Sequence, residues 1–200
     1  MGKVHERIDE RMRSFLLAQH LFFVATAPSG PDGHVNVSPK GVAGSFAVLD
    51  DHTVAYLDLT ASGSETIAHL RDNGRITLMF CAFQGPPNIV RLHGTGRFTT
   101  LYDEGFDELL GHFDGGLDES VGARAVIVVD VERVSDSCGY GVPFYEYAGE
   151  RDLLPQYMER KGVDGRADYR RLKNRTSIDG LPGFDMDPAP AEAAAPDGRI

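Results

Sequence analysis

The sequence predicts a mainly β protein, an antiparallel β-barrel of six or seven strands with flanking helices. Three observations carry this reading. Short runs rich in β-branched and aromatic residues recur along most of the chain, turn-forming clusters separate them at hairpin distances, and few helical patterns intervene. Alternating strand and helix units of a parallel sheet would look different, with a helical pattern after every strand.

Taken in chain order, Val4, Ile8, Met12, Phe15 and Leu16 recur at helical spacing and predict an amphipathic helix over residues 4–19. Strand-like runs follow at 21–27, 34–39, 45–49, 53–59, 75–83, 89–100 and 123–134. Turn signals divide them at Pro28-Ser-Gly-Pro-Asp-Gly33, Asp50-Asp51 and Gly85-Pro86-Pro87. Two helices interrupt the series. Residues 64–73 carry Ile67 and Leu70 on one side and stop at Gly74, and residues 103–111 carry Phe106, Leu109 and Leu110. Gly94-Thr-Gly96 lies within a strand run and lacks the third glycine and the helix of a dinucleotide fingerprint, so it reads as a kink or bulge. One domain is expected over residues 1–180, with 181–200 a disordered tail that turns small and polar after Gly183.

Composition excludes several classes of function. The net charge of −10, from 30 acids against 20 Lys and Arg, argues against a nucleic-acid partner, because phosphate backbones demand a basic face. Part of the acid is local, with no Lys or Arg between Asp103 and Glu119, and this reads as a solvated helix face with its following loop. No apolar run reaches the length of a membrane span, and the charged start lacks the apolar core of a signal peptide, so the expected location is the cytoplasm. Two cysteines are too few for a disulfide framework. Cys81 sits in an apolar run and is expected as a buried thiol, while Cys138 has no identifiable general base beside it. The seven histidines form no HxxxH or HxH pair and there is no CxxC, so no metal site is expected.

Two segments could carry chemistry. Leu59-Thr-Ala-Ser-Gly-Ser-Glu-Thr-Ile67 runs from a strand end, through small hydroxyl residues, into a helix. The unpaired N–H groups and partial positive charge of a helix start suit a phosphate, and hydroxyls at Thr60, Ser62, Ser64 and Thr66 add donors. A capping box in which Ser62 pairs with Glu65 explains the same residues without a ligand. The second segment, Val35-Asn-Val-Ser-Pro-Lys-Gly41, ends a strand in Ser38-Pro39-Lys40 and places one cation where the backbone leaves the sheet. That lysine is either solvated or available to the negative charge of a reduced flavin.

The order of these pieces resembles pyridoxamine 5'-phosphate oxidase and its relatives. It comprises the strand ending in Lys40, a hairpin, the strand 53–59, the Thr-x-x-Gly-Ser turn, a helix, then Arg75-Ile-Thr-Leu-Met-Phe80 and Ile89-Val-Arg-Leu-His-Gly94. The similarity spans residues 15–135. It implies an FMN-binding split barrel that works as a homodimer, with the cofactor in clefts between subunits; a deazaflavin cofactor on the same barrel is the alternative. Carried over position by position, Lys40 matches a lysine near the flavin ring, Thr60 the threonine of a Tyr-Thr turn that here reads Leu59-Thr60, and Ser64 the serine of a Ser-Arg-Lys phosphate motif. Ser38, Pro39, Ser62, Gly63, Thr66 and Arg91 complete the candidate cofactor set.

The chain departs from that pattern in two places. Glu65 and Thr66 replace the Arg-Lys pair, leaving N–H groups and hydroxyls to hold the phosphate, with Arg91 or Arg97 either compensating cations or solvated strand residues. There is no Trp and the C-terminal part differs, which implies a substrate other than pyridoxamine phosphate. In its place, Ser137-Cys-Gly-Tyr-Gly-Val-Pro-Phe144 and Lys173-Asn-Arg-Thr-Ser-Ile-Asp-Gly-Leu-Pro182 resemble an uncharacterised bacterial subgroup of the superfamily. The first is either a loop against the flavin's exposed face or an exit turn, and the second is expected to pack back on the barrel through Ile178 and Leu181. The implied function is an FMN-dependent oxidoreductase acting on a small molecule; the alternatives are a deazaflavin-dependent reductase and a non-catalytic flavin-binding or stress-related protein.

Overall fold

Period-two alternation builds the sheet. In the computed structural model, which describes residues 2–114 and 116–184, the strands are β1 (Lys3–His5), β2 (Phe22–Thr26), β3 (Asn36–Lys40), β4 (Phe46–Val48), β5 (Thr53–Leu59), β6 (Arg75–Cys81), β7 (Ile89–Thr100) and β8 (Ala123–Ser137). All pairings between named strands are antiparallel, in the order β3-β2-β6-β7-β8-β5-β4, and short β1 continues the β5 side of the long β8. The predicted mainly β barrel class is therefore correct, with seven strands on the main path and β1 beside it. The sheet curls until its two ends meet through ring contacts, Phe22 to Phe46 at 5.2 Å and Phe22 to Tyr56 at 5.7 Å between centroids.

The core follows from this curl. Phe22, Val24, Leu78, Phe80, Leu92, Ile127 and Val129 point inward, while Ala55, Leu57, Val126 and Val128 face the other side of β5 and β8 and pack with Phe106. Those two strands are thus covered on both faces, which explains their unbroken apolar runs. The register of β7 against β8 shifts between His93 and Gly94, so the predicted bulge is present. A Cβ at Gly94 would collide with the Asp130 carbonyl, which makes the glycine a condition for that close approach.

The helices are α1 (Glu10–Leu17), α2 (Glu65–Asp72), α3 (Phe106–Leu110) and α4 (Leu153–Lys173). The expected helix over 4–19 is corrected at its start. Lys3–His5 pair with β8, and the Asp9 side chain accepts from the Met12 N–H at 2.8 Å, capping a helix that begins only at Glu10. The second and third helices lie where expected, each slightly shorter. Helix α4 is absent from the sequence reading. Its φ/ψ path breaks at Gly162 (φ 63°, ψ −179°), and it buries only Met158, Arg166 and Arg170, so no long apolar stripe announces it.

Packing also runs past the expected boundary at residue 180. Phe184 is 2% exposed within the core, and Thr176 bridges Pro182. The rest of the expected tail, from residue 185, lies outside the described residues.

Candidate functional site

The strand end at Lys40 and the turn entering α2 come together through a residue that sequence reasoning passed over. Asp58, on β5 and 2% exposed, accepts from Lys40 Nζ at 2.9 Å and from Arg124 Nε, on β8, at 2.7 Å. Burial pushes the Asp58 carboxyl up, but the Arg124 guanidinium and the Lys40 ammonium outweigh it and bring its pKa down to about 2. Arg124 then reaches the turn itself, donating from Nη2 to the Gly63 carbonyl at 3.1 Å. Both Asp58 and Arg124 are lone charges inside apolar runs, and that is the signal that would have found them.

Within the turn, Thr60 is fully buried and its N–H donates to the Gly122 carbonyl at 2.6 Å. Gly63 takes a positive φ of 79° before the chain enters α2. The capping-box expectation is corrected here. Ser64, not Ser62, is the N-cap, its side chain makes no capping bond, and Ser62 is exposed. Glu65 instead accepts from the Ile178 N–H at 3.1 Å. The Ser64 hydroxyl is buried without a hydrogen-bond partner among the described residues. Thr66 is nearly buried and accepts from Asn36 Nδ2 at 3.4 Å, while Ser38 donates to Asn36 Oδ1 at 3.1 Å.

The remaining candidates stand apart. Pro39 is exposed and Leu59 half-buried. Arg91 donates to Ser137 Oγ at 3.2 Å and makes no hydrogen bond to the turn, and Arg97 pairs with Asp130. Neither arginine supplies the cation missing from α2.

The C-terminal part covers the turn. Arg166 and Arg170 of α4 reach Glu119 in the 3-10 turn Glu119–Val121. Asn174, at the end of α4, donates to the carbonyls of Ala61 and Gly63, both at 2.9 Å. Gly183 sits directly on Ser64: a Cβ there would collide with Ser64 Oγ and lie 2.6 Å from the Asn174 carbonyl. The segment 174–184 is thus a strap over the start of α2. It does pack back as expected, but through Asn174, Ser177 and Phe184, whereas Ile178 is 73% exposed.

The sequence signature of pyridoxamine 5'-phosphate oxidase matches residues 8–138. A curated relative, the pyridoxamine 5'-phosphate oxidase family protein ustO of Aspergillus flavus, is 40% identical over 194 residues, covering 90% of this chain and 77% of that protein. The chain belongs to the pyridoxamine 5'-phosphate oxidase family. Among solved structures, a single-residue variant of HupZ from Group A Streptococcus aligns with a TM-score of 0.49 and 25% identity over 65% of this chain and 99% of that one. A Clostridium acetobutylicum protein related to general stress protein 26 gives a TM-score of 0.49 and 13% identity over 72% and 94%.

The family signature ends at residue 138, so α4 and the strap lie beyond it, whereas the match to the fungal relative covers 90% of the chain. The segment 137–144 leaves β8 through a turn at 140–141. Val142 N–H donates to the Gly139 carbonyl at 2.9 Å, and Tyr145 N–H to the Phe83 carbonyl at 3.0 Å. Cys81 is buried, which pushes its thiol up, and Cys138 is exposed. Among the described residues no helix is long and apolar enough to cross a membrane.

Proposed function

We propose that this family member is a flavin-dependent oxidoreductase that binds FMN, with the phosphate at the Thr60–Thr66 turn and the ring on the Lys40 side, and acts as a cytoplasmic homodimer on a small molecule. Family membership supports a flavin. The observation that carries the placement is the buried Ser64 hydroxyl at the N-terminus of α2, which has no partner among the described residues. Capping alone would have used that oxygen.

The residues present fit a phosphate in donor type, with a helix start, the Ser64 and Thr66 hydroxyls and a positive field from Arg124 behind Gly63. The strap covers this position, so a phosphate enters as residues 174–184 lift from Ser64. Bound flavin would supply hydride or electron transfer. The chain's own part is to seat the phosphate and to present Lys40, whose side chain is 24% exposed, as a cation for the ring. Asp58 fixes where that ammonium points.

Titrating apo-protein with FMN by fluorescence quenching tests this. Ser64→Ala with Thr66→Ala removes one or two hydrogen bonds to a charged group, about 1.5–3 kcal/mol each, and weakens binding at least tenfold. Lys40→Ala lowers the reduction potential more than the affinity. Equal FMN affinity in wild type and both variants would defeat the placement, and a co-purifying chromophore with a deazaflavin spectrum would defeat FMN. A monomer by light scattering at micromolar concentration would defeat the dimer.

A further inference from the structure

Buried donors around the turn are not all satisfied among the described residues. Four cations gather there, Lys40, Arg124, Arg166 and Arg170, with side-chain exposures of 24%, 5%, 5% and 3%. Two carboxylates face them. Asp58 serves Lys40 and Arg124. Glu119 is engaged by Arg166 through both Nε, at 2.7 Å, and Nη2. Arg170 is left with long contacts only: 3.4 and 3.5 Å to Glu119 Oε1, 3.4 Å to Thr60 Oγ1 and 3.3 Å to the Tyr102 hydroxyl. The third carboxylate nearby, Glu65, is occupied at the rim by the Ile178 N–H. Asp118 also lies within Coulombic reach of Arg166, so the charges come close to balance, but Arg124 and Arg170 each keep a buried guanidinium N–H that no carboxylate accepts.

The unmet donors have a location. Arg124 Nη1 and Arg170 Nε are buried without hydrogen-bond partners among the described residues, as is Ser64 Oγ. Both guanidinium groups border the turn, Arg124 through the Gly63 carbonyl and Arg170 through Thr60 Oγ1. Three donors from β8, α4 and the start of α2 thus surround one stretch of backbone. A phosphate monoester would offer acceptor oxygens to such donors, with guanidinium suited to phosphate by its planar donor fork.

We propose that Arg124 and Arg170, together with Ser64, form the phosphate subsite, and that these two arginines take the place of the Arg-Lys pair that Glu65 and Thr66 replace. The proposal rests on the reading of FMN at the Thr60–Thr66 turn and adds the source of its charge. It makes α4, which lies outside the family signature, a structural requirement of cofactor binding.

FMN and riboflavin share a ring and ribityl chain and differ by the phosphate, so the ratio of their affinities isolates the subsite. It is measured by fluorescence quenching on wild type, Arg170→Gln, Arg170→Lys and Arg124→Gln. The expected result is a wild type that prefers FMN strongly. Each Gln variant loses about tenfold or more of that preference with riboflavin affinity unchanged, and Arg170→Lys recovers part of it. Arg124→Gln also strips a partner from buried Asp58 and so puts folding itself at risk. Arg170→Gln gives up only long contacts and is therefore the deciding variant. Inorganic phosphate offers a second readout, raising Tm in wild type and not in Arg170→Gln. An FMN preference that is strong in wild type and undiminished in Arg170→Gln overturns the role of the arginines alone. A wild type that binds FMN no more tightly than riboflavin overturns the phosphate reading itself, and this inference with it.

Discussion

Asp58→Asn is the most informative single change, because Asp58 joins the two ends of the curled sheet. The carboxylate is 2% exposed and lies between Lys40 and Arg124 at 2.9 and 2.7 Å. Its pKa falls from the ordinary 3.8 to about 2, a difference that corresponds to about 2 kcal/mol favouring the ionised form in the folded protein. Asparagine resembles the protonated acid, so that figure is the pH-linked part of the cost. Leaving buried Arg124 and half-buried Lys40 without their counter-charge raises the total to about 3–5 kcal/mol. For a chain of this size the fall in Tm is roughly 10 °C. The sign with pH is fixed by the direction of the shift. A depressed carboxylate stabilises the fold fully above pH ~4, and that contribution disappears as pH falls through about 2. Urea unfolding of wild type and variant between pH 7 and pH 2 therefore shows a gap that is constant down to pH ~4 and narrows by about 2 kcal/mol below it. A Tm within 2 °C of wild type (roughly 1 kcal/mol or less), or a gap that persists unchanged at pH 2, would refute the buried triad.

Two further outcomes follow from the packing. Gly183→Ala places a Cβ against Ser64 Oγ, so the strap loosens; overpacking of this kind costs about 1–3 kcal/mol, amide exchange rises at 174–184, and FMN associates faster in stopped-flow mixing, whereas unchanged exchange would contradict the contact. Buried Cys81 and exposed Cys138 predict one fast-reacting thiol in the native protein and two after denaturation, measured with a chromogenic disulfide, and loss of the fast thiol in Cys138→Ser identifies it.

The sheet was legible because its inward residues alternate and its turns carry Gly, Pro and Asp at hairpin spacing. The bulge at Gly94 was legible for a related reason, since a glycine inside a strand run marks a close backbone approach. Helix α4 was not, because its buried side consists of Met158, Arg166 and Arg170, and arginines do not register in a hydrophobic pattern. At the site, the turn and Lys40 were found by their order along the chain. What joins them, Asp58 and Arg124, was not, because the strand pattern around each assigns it no partner. Thr53–Leu59 and Ala123–Val129 are almost wholly apolar, and a single charge in such a run needs a partner that only the folded register supplies, β5 against β8.

The replacement of Arg-Lys by Glu65 and Thr66 has a physical logic of its own. A glutamate in the first turn of α2 interacts favourably with the helix dipole and anchors the strap by accepting the Ile178 N–H, which a lysine or arginine cannot do. A cation at residue 65 would therefore forfeit the closing contact of the C-terminal segment. That segment carries Arg170 and Asn174 to the opposite side of the same turn, where Asn174 binds the Ala61 and Gly63 carbonyls. Acid on the outer rim and guanidinium on the inner side thus form one arrangement, in which the charge lost from α2 returns from α4. Exchanging Glu65 for arginine alone would loosen the strap and add a third guanidinium beside those of Arg124 and Arg170. The substitution that looks like a missing binding residue is, in this fold, the anchor of the element that replaces it.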